Sequence, residues 1–185
     1  MCANKVETRS VPKYHYRESG LDNIWLEGGV IETICPACKH RLVAVLKEQQ
    51  LLQLIARDLL MRPGFLTGKE IRYLRKACGL TQAELAEQLH LDRRETVAEW
   101  EGQEEAKRAQ GWEYALRAVL LESFEATLSK DNHLSSAQDA ELTKFREAFA
   151  AAYSEFFAKQ KKPPKVLRFT KRRDWQRPAP GRKAA

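Results

Sequence analysis

The chain opens with short apolar stretches at strand-like spacing. Tyr14 to Tyr16, Ile24 to Leu26, Val30 to Ile34 and Leu42 to Leu46 are rich in β-branched, aromatic and aliphatic residues, and Gly20 and Gly28-Gly29 stand between them. This pattern predicts a small β unit over residues 1–47, with Gly28-Gly29 as a hairpin turn. The period then changes. Leu51, Leu54, Ile55 and Leu59 recur at helical spacing and Pro63-Gly64 ends the run, so a connecting helix is expected over 48–63.

Downstream, helix starts are legible from capping residues. Thr67 is followed three residues later by Glu70, and Thr81 by Glu84, so that hydroxyl and carboxylate can each satisfy an otherwise orphaned backbone N–H. Gly79 lies between these two boxes, where a left-handed residue ends a helix at no side-chain cost. Asp92 precedes Arg93-Arg94-Glu95 and is the expected N-cap of a third helix running through Val97 and Trp100. Leu74, Ala77, Leu85, Ala86, Leu89, Leu91, Val97 and Trp100 supply the inward faces. A further stripe, Trp112, Ala115, Leu116, Val119, Leu120 and Phe124, closes a helical domain over 64–128. Leu142, Phe145, Phe149, Ala152 and Phe156 form another over 129–158, which packs within the chain or against a second copy. The expected fold is mainly α with a small N-terminal β unit, α+β overall.

Composition narrows the class. With 185 residues, 43% hydrophobic and 31% charged, the chain suits a soluble globular protein. No run approaches the ~20 apolar residues of a membrane span, and the first twenty residues lack a signal-peptide core, so a cytoplasmic protein with no membrane partner is expected. The net charge of +7 is unevenly placed. Residues 159–185 hold eleven Lys or Arg against Asp174 alone, a balance of +10, and residues 1–158 hold 21 basic and 24 acidic residues, or −3. The tail also contains four of the seven prolines, and a disordered basic extension is expected there. Phe169 and Trp175 interleave with its charges, which suits a nucleic-acid-contacting arm and equally a solubilising extension.

Helix, tight turn, helix around Cys78-Gly79-Leu80, Thr81-Gln82 and Asp92 to Trp100 is how a helix-turn-helix DNA reader is built. The start of the third helix would present Arg93, Arg94, Glu95 and Thr96, the part that meets base edges in the major groove. Arginine's planar fork can donate to guanine O6 and N7 together, worth ~1–3 kcal/mol of discrimination, and Thr96 suits a thymine methyl or a phosphate. Gln82, next to the Thr81 cap, is placed to reach phosphate.

These residues resemble the Xre/Cro-repressor type of helix-turn-helix, a lambda-repressor-like domain. The stretch LTGKEIRYLRKACGLTQAELAEQL with ETVAEWE, joined to the upstream YHYRESGLDN, an interior CPAC and a helix ending in RPG, resembles the MqsA-type antitoxins over Tyr14 to Glu101, about half the chain. In that family a zinc-binding N-terminal domain precedes the DNA-binding domain. The resemblance implies a bacterial repressor, nucleoid-associated when bound, that grips a palindromic operator in double-stranded DNA as a homodimer. A toxin protein is a further implied partner, with autoregulation of the operon. Three features depart from the pattern. The link Asp92 to Thr96 is one residue longer than usual, Glu99 stands where relatives often carry arginine, and residues 64–102 hold six basic and seven acidic residues, net −1. A polyanion is held by Lys and Arg displacing its counterions, so the domain is expected to draw on the basic tail.

Cys35-Pro36-Ala37-Cys38 has the spacing that lets two thiolates bind one zinc ion from a tight turn. Resembling proteins supply a second pair at the N-terminus, where this chain offers Cys2, with Lys5 at the second position. A start upstream of Met1, or His40 or His15 as the fourth ligand beside Cys2, Cys35 and Cys38, would complete a structural zinc site. Cys78 reads as a core thiol. No catalytic arrangement stands out, so an enzyme is not expected. The competing readings are a toxin-neutralising protein-binding module, an RNA-associated binder that uses the basic tail, and a helical domain that kept the fold without DNA affinity.

Overall fold

The computed structural model describes residues 5–104, 108–131, 140, 143–144, 147 and 167–170, and these form a mainly helical α+β protein. Along the chain run β1 (Glu7–His15), β2 (Ile24–Ile34), β3 (Arg41–Val45), α1 (Glu48–Met61), α2 (Gly68–Ala77), α3 (Gln82–Gln88), α4 (Glu95–Gly102), α5 (Gln110–Asp131) and β4 (Leu167–Thr170). Two compact units result, divided within α1 between residues 54 and 55. The apolar stripe from Leu142 to Phe156 and most of the basic tail lie outside the described residues.

The first unit is built around β2. One edge pairs antiparallel with β1, from Glu7↔Ile34 to His15↔Trp25, and the other pairs with β3 over Val30 to Ile34. Gly28-Gly29 is not the expected hairpin turn. Val11 pairs with Val30 and Lys13 with Glu27, so two glycines at φ 79° and 74° oppose the single residue Pro12. Proline brings no N–H to the ladder and glycine accepts the left-handed angles, so the strand bulges and continues where a turn would have ended it. Ile24, Leu26 and Val30 are buried with Tyr16 and Leu21. Glu32, buried on β2, is neutralised by Arg9 and Arg41 from the two flanking strands.

The described part of the tail is not disordered. Leu167–Thr170 forms β4 and pairs parallel with Ile24 to Glu27 of β2. The reason is the length mismatch between neighbours: β3 covers only the far half of that edge, which leaves the near half with backbone donors and acceptors to be satisfied. The alternating Leu167-Arg168-Phe169-Thr170 segment supplies them.

In the second unit both capping boxes form: Thr67 Oγ1 accepts from Glu70 N–H and Thr81 Oγ1 from Glu84 N–H, with each carboxylate returning to its cap. Helix α2 closes in a Schellman motif, with Gly79 at φ 70° and Leu80 N–H donating to the Arg75 carbonyl at 3.0 Å. Helix α3 closes the same way on His90, at φ 53°, with Leu91 N–H on the Ala86 carbonyl at 2.9 Å. Asp92 is not the cap of α4. Thr96 N–H bonds the Arg93 carbonyl and Val97 and Ala98 N–H bond that of Arg94, so the N-cap falls on Arg94. Asp92 is left two positions upstream of that cap.

Leu74, Leu85, Ala86, Leu89, Val97 and Trp100 are buried as expected, and Cys78 is a core thiol whose Sγ lies 3.4 Å from the Leu120 carbonyl. Burial pushes that thiol up to about 12. The α5 stripe is rotated from its expected phase: Trp112 is 41% exposed, and the buried face is Glu113, Leu116, Arg117, Leu120, Leu121 and Phe124. Glu113 accepts from Arg108, Arg117 and Leu66 N–H, while Arg117 donates to the carbonyls of Leu59, Leu60 and Gly64.

Gly68, the first residue of α2, faces the end of α4. Its N–H donates to the Gln103 carbonyl at 2.9 Å, and a Cβ there would stand 2.5–2.6 Å from the carbonyl oxygens of Gln103, Trp100 and Glu101. All three are backbone atoms and have little freedom to yield. Gly68→Ala is therefore expected to cost about 3 kcal/mol, read as a fall in melting temperature of about 10 °C or more for a unit of this size. An unchanged melting temperature would contradict the close approach.

Candidate nucleic-acid interface

The end of α2, the Gly79 turn, the start of α3 and the start of α4 surround an open concavity of about 600 Å³. Thr81, Gln82 and Arg94 line it, together with Arg72, Arg75, Lys76 and Glu101. Of the expected site residues, Arg93, Glu95 and Thr96 are not part of that lining. Arg93 and Glu95 are exposed beside it at the start of α4, and Thr96 is half-buried. Arg94 Nε donates to Glu95 Oε1 at 3.2 Å on the surface. The Glu95 carboxyl is held below its usual range, first by its own backbone N–H and then by Arg94.

Gln82 already has one amide hydrogen engaged within the domain. Its Nε2 donates to Glu101 Oε2 at 2.9 Å. The same carboxylate takes Arg75 Nε at 2.5 Å and Nη2 at 3.1 Å, and Arg72 Nε at 3.3 Å, and its side chain is 0% exposed. Arg75 also donates from Nη1 to the Leu80 carbonyl at 2.7 Å. Glu101 thus forms an anchor below the concavity: one buried carboxylate fixes residues from α2 and α3 to the last turn of α4. Burial by itself would raise the Glu101 pKa, but hydrogen bonds from Arg75 and Gln82, with the Arg75 charge, outweigh it and hold the group below the ordinary carboxylate range.

Sorting by position changes the meaning of the −1 balance of residues 64–102. Glu70 and Glu84 are used in caps and Glu101 is buried, whereas Arg72, Lys76 and Arg94 stand exposed around one open surface. The exposed charges of that lining are cationic, with Glu101 buried beneath them, and such clustering focuses potential that the net count hides. Arg72, Arg75 and Lys76 escaped the sequence reading because they lie on α2, outside the segment that would contact bases. Their i, i+3 and i+4 spacing was the available signal.

In the first unit, Cys35 is buried at the end of β2 and Cys38 is exposed in the tight turn to β3. Lys39 N–H donates to the Cys35 carbonyl at 2.8 Å and Cys35 N–H to that of His40 at 2.9 Å, with Lys39 left-handed at φ 58°. His15 does not join them. It pairs with Trp25, ten strand residues from Cys35 and so roughly 30 Å away. Its ring is also engaged, Nε2 with the Asp22 carbonyl at 2.8 Å and Nδ1 with Arg17 Nε at 3.1 Å. The pairing of Glu7 with Ile34 does start β1 at the cysteine end of the sheet, and Cys2, upstream of it, lies outside the described residues. Among the described residues no three ligating side chains gather, and Cys35 and Cys38 by themselves could supply two of the four ligands of a tetrahedral site.

The fold and site thus define a mainly helical α+β protein whose helical unit carries an open, cation-lined surface. Comparison with protein families, with curated proteins and with solved structures gives no match for the chain.

Glu101→Gln keeps the shape of the anchor and removes its charge, and is expected to cost about 3 kcal/mol of stability in denaturant melts at pH 7. Because the folded pKa lies below the unfolded one, the Glu101 contribution is complete above the unfolded value near 4.5 and fades as pH falls through the folded value. The gap between wild type and variant should accordingly close between about pH 5 and pH 2. A gap that stays constant over that range would show that the carboxylate charge is not what anchors the helices.

Proposed function

We propose that this chain is a sequence-specific DNA-binding transcriptional regulator of the repressor type, with α2 to α4 acting as a helix-turn-helix reader. The observation that carries the reading is the exposed start of α4, with Arg93 and Arg94, beside a concavity edged by Arg72 and Lys76. In this reading the start of α4 enters the major groove, where Arg93 and Arg94 donate to guanine and Glu95 and Thr96 meet neighbouring base edges. Arg72, Lys76 and the Thr81 hydroxyl face the phosphate backbone across the concavity. Gln82 acts through Glu101, holding α3 against α4. A homodimer on a palindromic operator gives two such contacts a fixed separation.

The contacts divide into two measurable kinds. In mobility shifts against the protein's own promoter region at two salt concentrations, Lys76→Ala is expected to weaken binding to all sequences alike and to lower the salt slope by about one ion. Arg94→Ala is expected to reduce discrimination between operator variants by about 1–3 kcal/mol. Equal loss of discrimination from both variants, or none from either, would mean that α4 does not read bases.

The reading includes a structural zinc ion on Cys35, Cys38 and Cys2, supported by the start of β1 at the cysteine end of the sheet. Metal analysis of protein purified without chelator is expected to give about one zinc per chain, lost on replacing Cys38 by Ser. Purified protein with no zinc would remove this part of the reading.

A further inference from the structure

The near half of β2 is an edge that the sheet itself does not close. Strand β3 pairs with β2 only from Val30 to Ile34, and the Gly28-Gly29 bulge separates that stretch from Ile24 to Glu27. Ile24 and Leu26 in this half are fully buried, so its backbone groups sit beside the apolar core. The edge is also held in place from its other side. Trp25 stacks on His15 with ring centroids 4.7 Å apart and planes 8° from parallel, and Lys13 Nζ lies 4.9 Å from the Trp25 ring centroid. A rigid edge that β3 does not reach is a template for one more extended segment.

The segment found there comes from far along the chain. Leu167 stands in register with Ile24, Arg168 with Trp25, Phe169 with Leu26 and Thr170 with Glu27. The two apolar residues of β4 thus align with the two buried residues of β2, and a shift of one position would break that match. Two properties keep this occupancy weak: the strand has four residues, and its pairing is parallel where the rest of the sheet is antiparallel.

We propose that the Ile24–Glu27 edge of β2 is a strand-acceptor site for an extended peptide with apolar residues two positions apart, and that the Leu167–Thr170 segment of the basic tail is its exchangeable resident ligand. While the tail is docked, the edge is closed to pairing with other chains. A free peptide of the same pattern competes for the same ladder positions. This inference does not rest on DNA binding and stands or falls separately.

The test uses the full chain. Arg168→Pro with Phe169→Pro removes two adjacent N–H groups, so that either phase of the ladder is broken. Hydrogen exchange of the Trp25 and Glu27 amides is expected to quicken by about tenfold or more, with the Leu26 amide, which faces β1, and the amides of α2 to α4 unchanged. Added in excess to this variant, a synthetic peptide of residues 165–172 should restore protection, and a scrambled peptide of the same composition should not. The fluorescent peptide should also bind the variant more tightly than the wild-type chain, whose own tail competes. Unchanged exchange in the double-proline variant, or equal protection by the scrambled peptide, would overturn the proposal.

Discussion

The helical unit depends on a carboxylate placed where water cannot reach it. Glu113 receives Arg108 and Arg117, and these guanidiniums extend to main-chain carbonyls: Arg108 to Leu66, and Arg117 to Leu59, Leu60 and Gly64. The last carbonyls of α1 have no further helical turn to bond them, and Pro63 in the bend that ends the helix brings no N–H. Arg117 supplies those donors from the middle of α5. Burial lowers the Arg117 pKa and the charge of Glu113 opposes that shift, so each charge makes the other tolerable in the core. Replacing either partner alone would strand a buried ion. The arrangement therefore holds the end of α1, the bend, the start of α2 and the start of α5 in one geometry.

The same device recurs nearer the surface. Glu101 collects Arg72, Arg75 and Gln82, and Gly68 lets the first turn of α2 sit directly on the carbonyls that end α4. Helix α4 is thus fixed at its far end by a buried ion cluster and a backbone contact, while its opposite end carries the exposed arginines. A reader of base edges needs this division, since side chains that must meet a rigid partner lose less freedom when their helix is already held. In the proposed reading, the helix that would present the contacts and the helices that position it meet in a single carboxylate.

In the sheet, the decisive constraint is that β2 has 11 residues and β3 has five. The glycine bulge opposite Pro12 lets β2 run past its neighbour, and the excess length creates the edge on which β4 lies. The strand β4 itself comes from the basic tail. That tail is a charged extension by composition and a fourth strand by pairing, and both properties belong to one short segment.

Local chemistry was legible without coordinates. Thr67/Glu70, Thr81/Glu84 and Gly79 mark helix ends because each acts on backbone groups within four residues, and such contacts exist whatever the rest of the chain does. The described helices, the connecting segment and the stretches of β2 and β3 follow from period and punctuation for the same reason, whereas β1 runs over Glu7–His15 and only its end falls in the marked stretch Tyr14 to Tyr16. What tertiary structure decided depends on partners distant in sequence. Gly28-Gly29 could turn or bulge, and Pro12 on the opposing strand chose the bulge. Asp92 could cap a helix, but the start of α4 formed two residues later. The pair Glu113 and Arg117 lies in phase with Leu116, Leu120 and Phe124, yet a charged pair enters the core only when distant carbonyls of α1 await it. Gln82 and Arg75 turned inward because Glu101 is buried beneath them, and the alternation of Leu167 to Thr170 became a strand because β2 left an edge open. In each case the sequence set what a residue can do, and the fold selected among those options by placing a complementary group within reach.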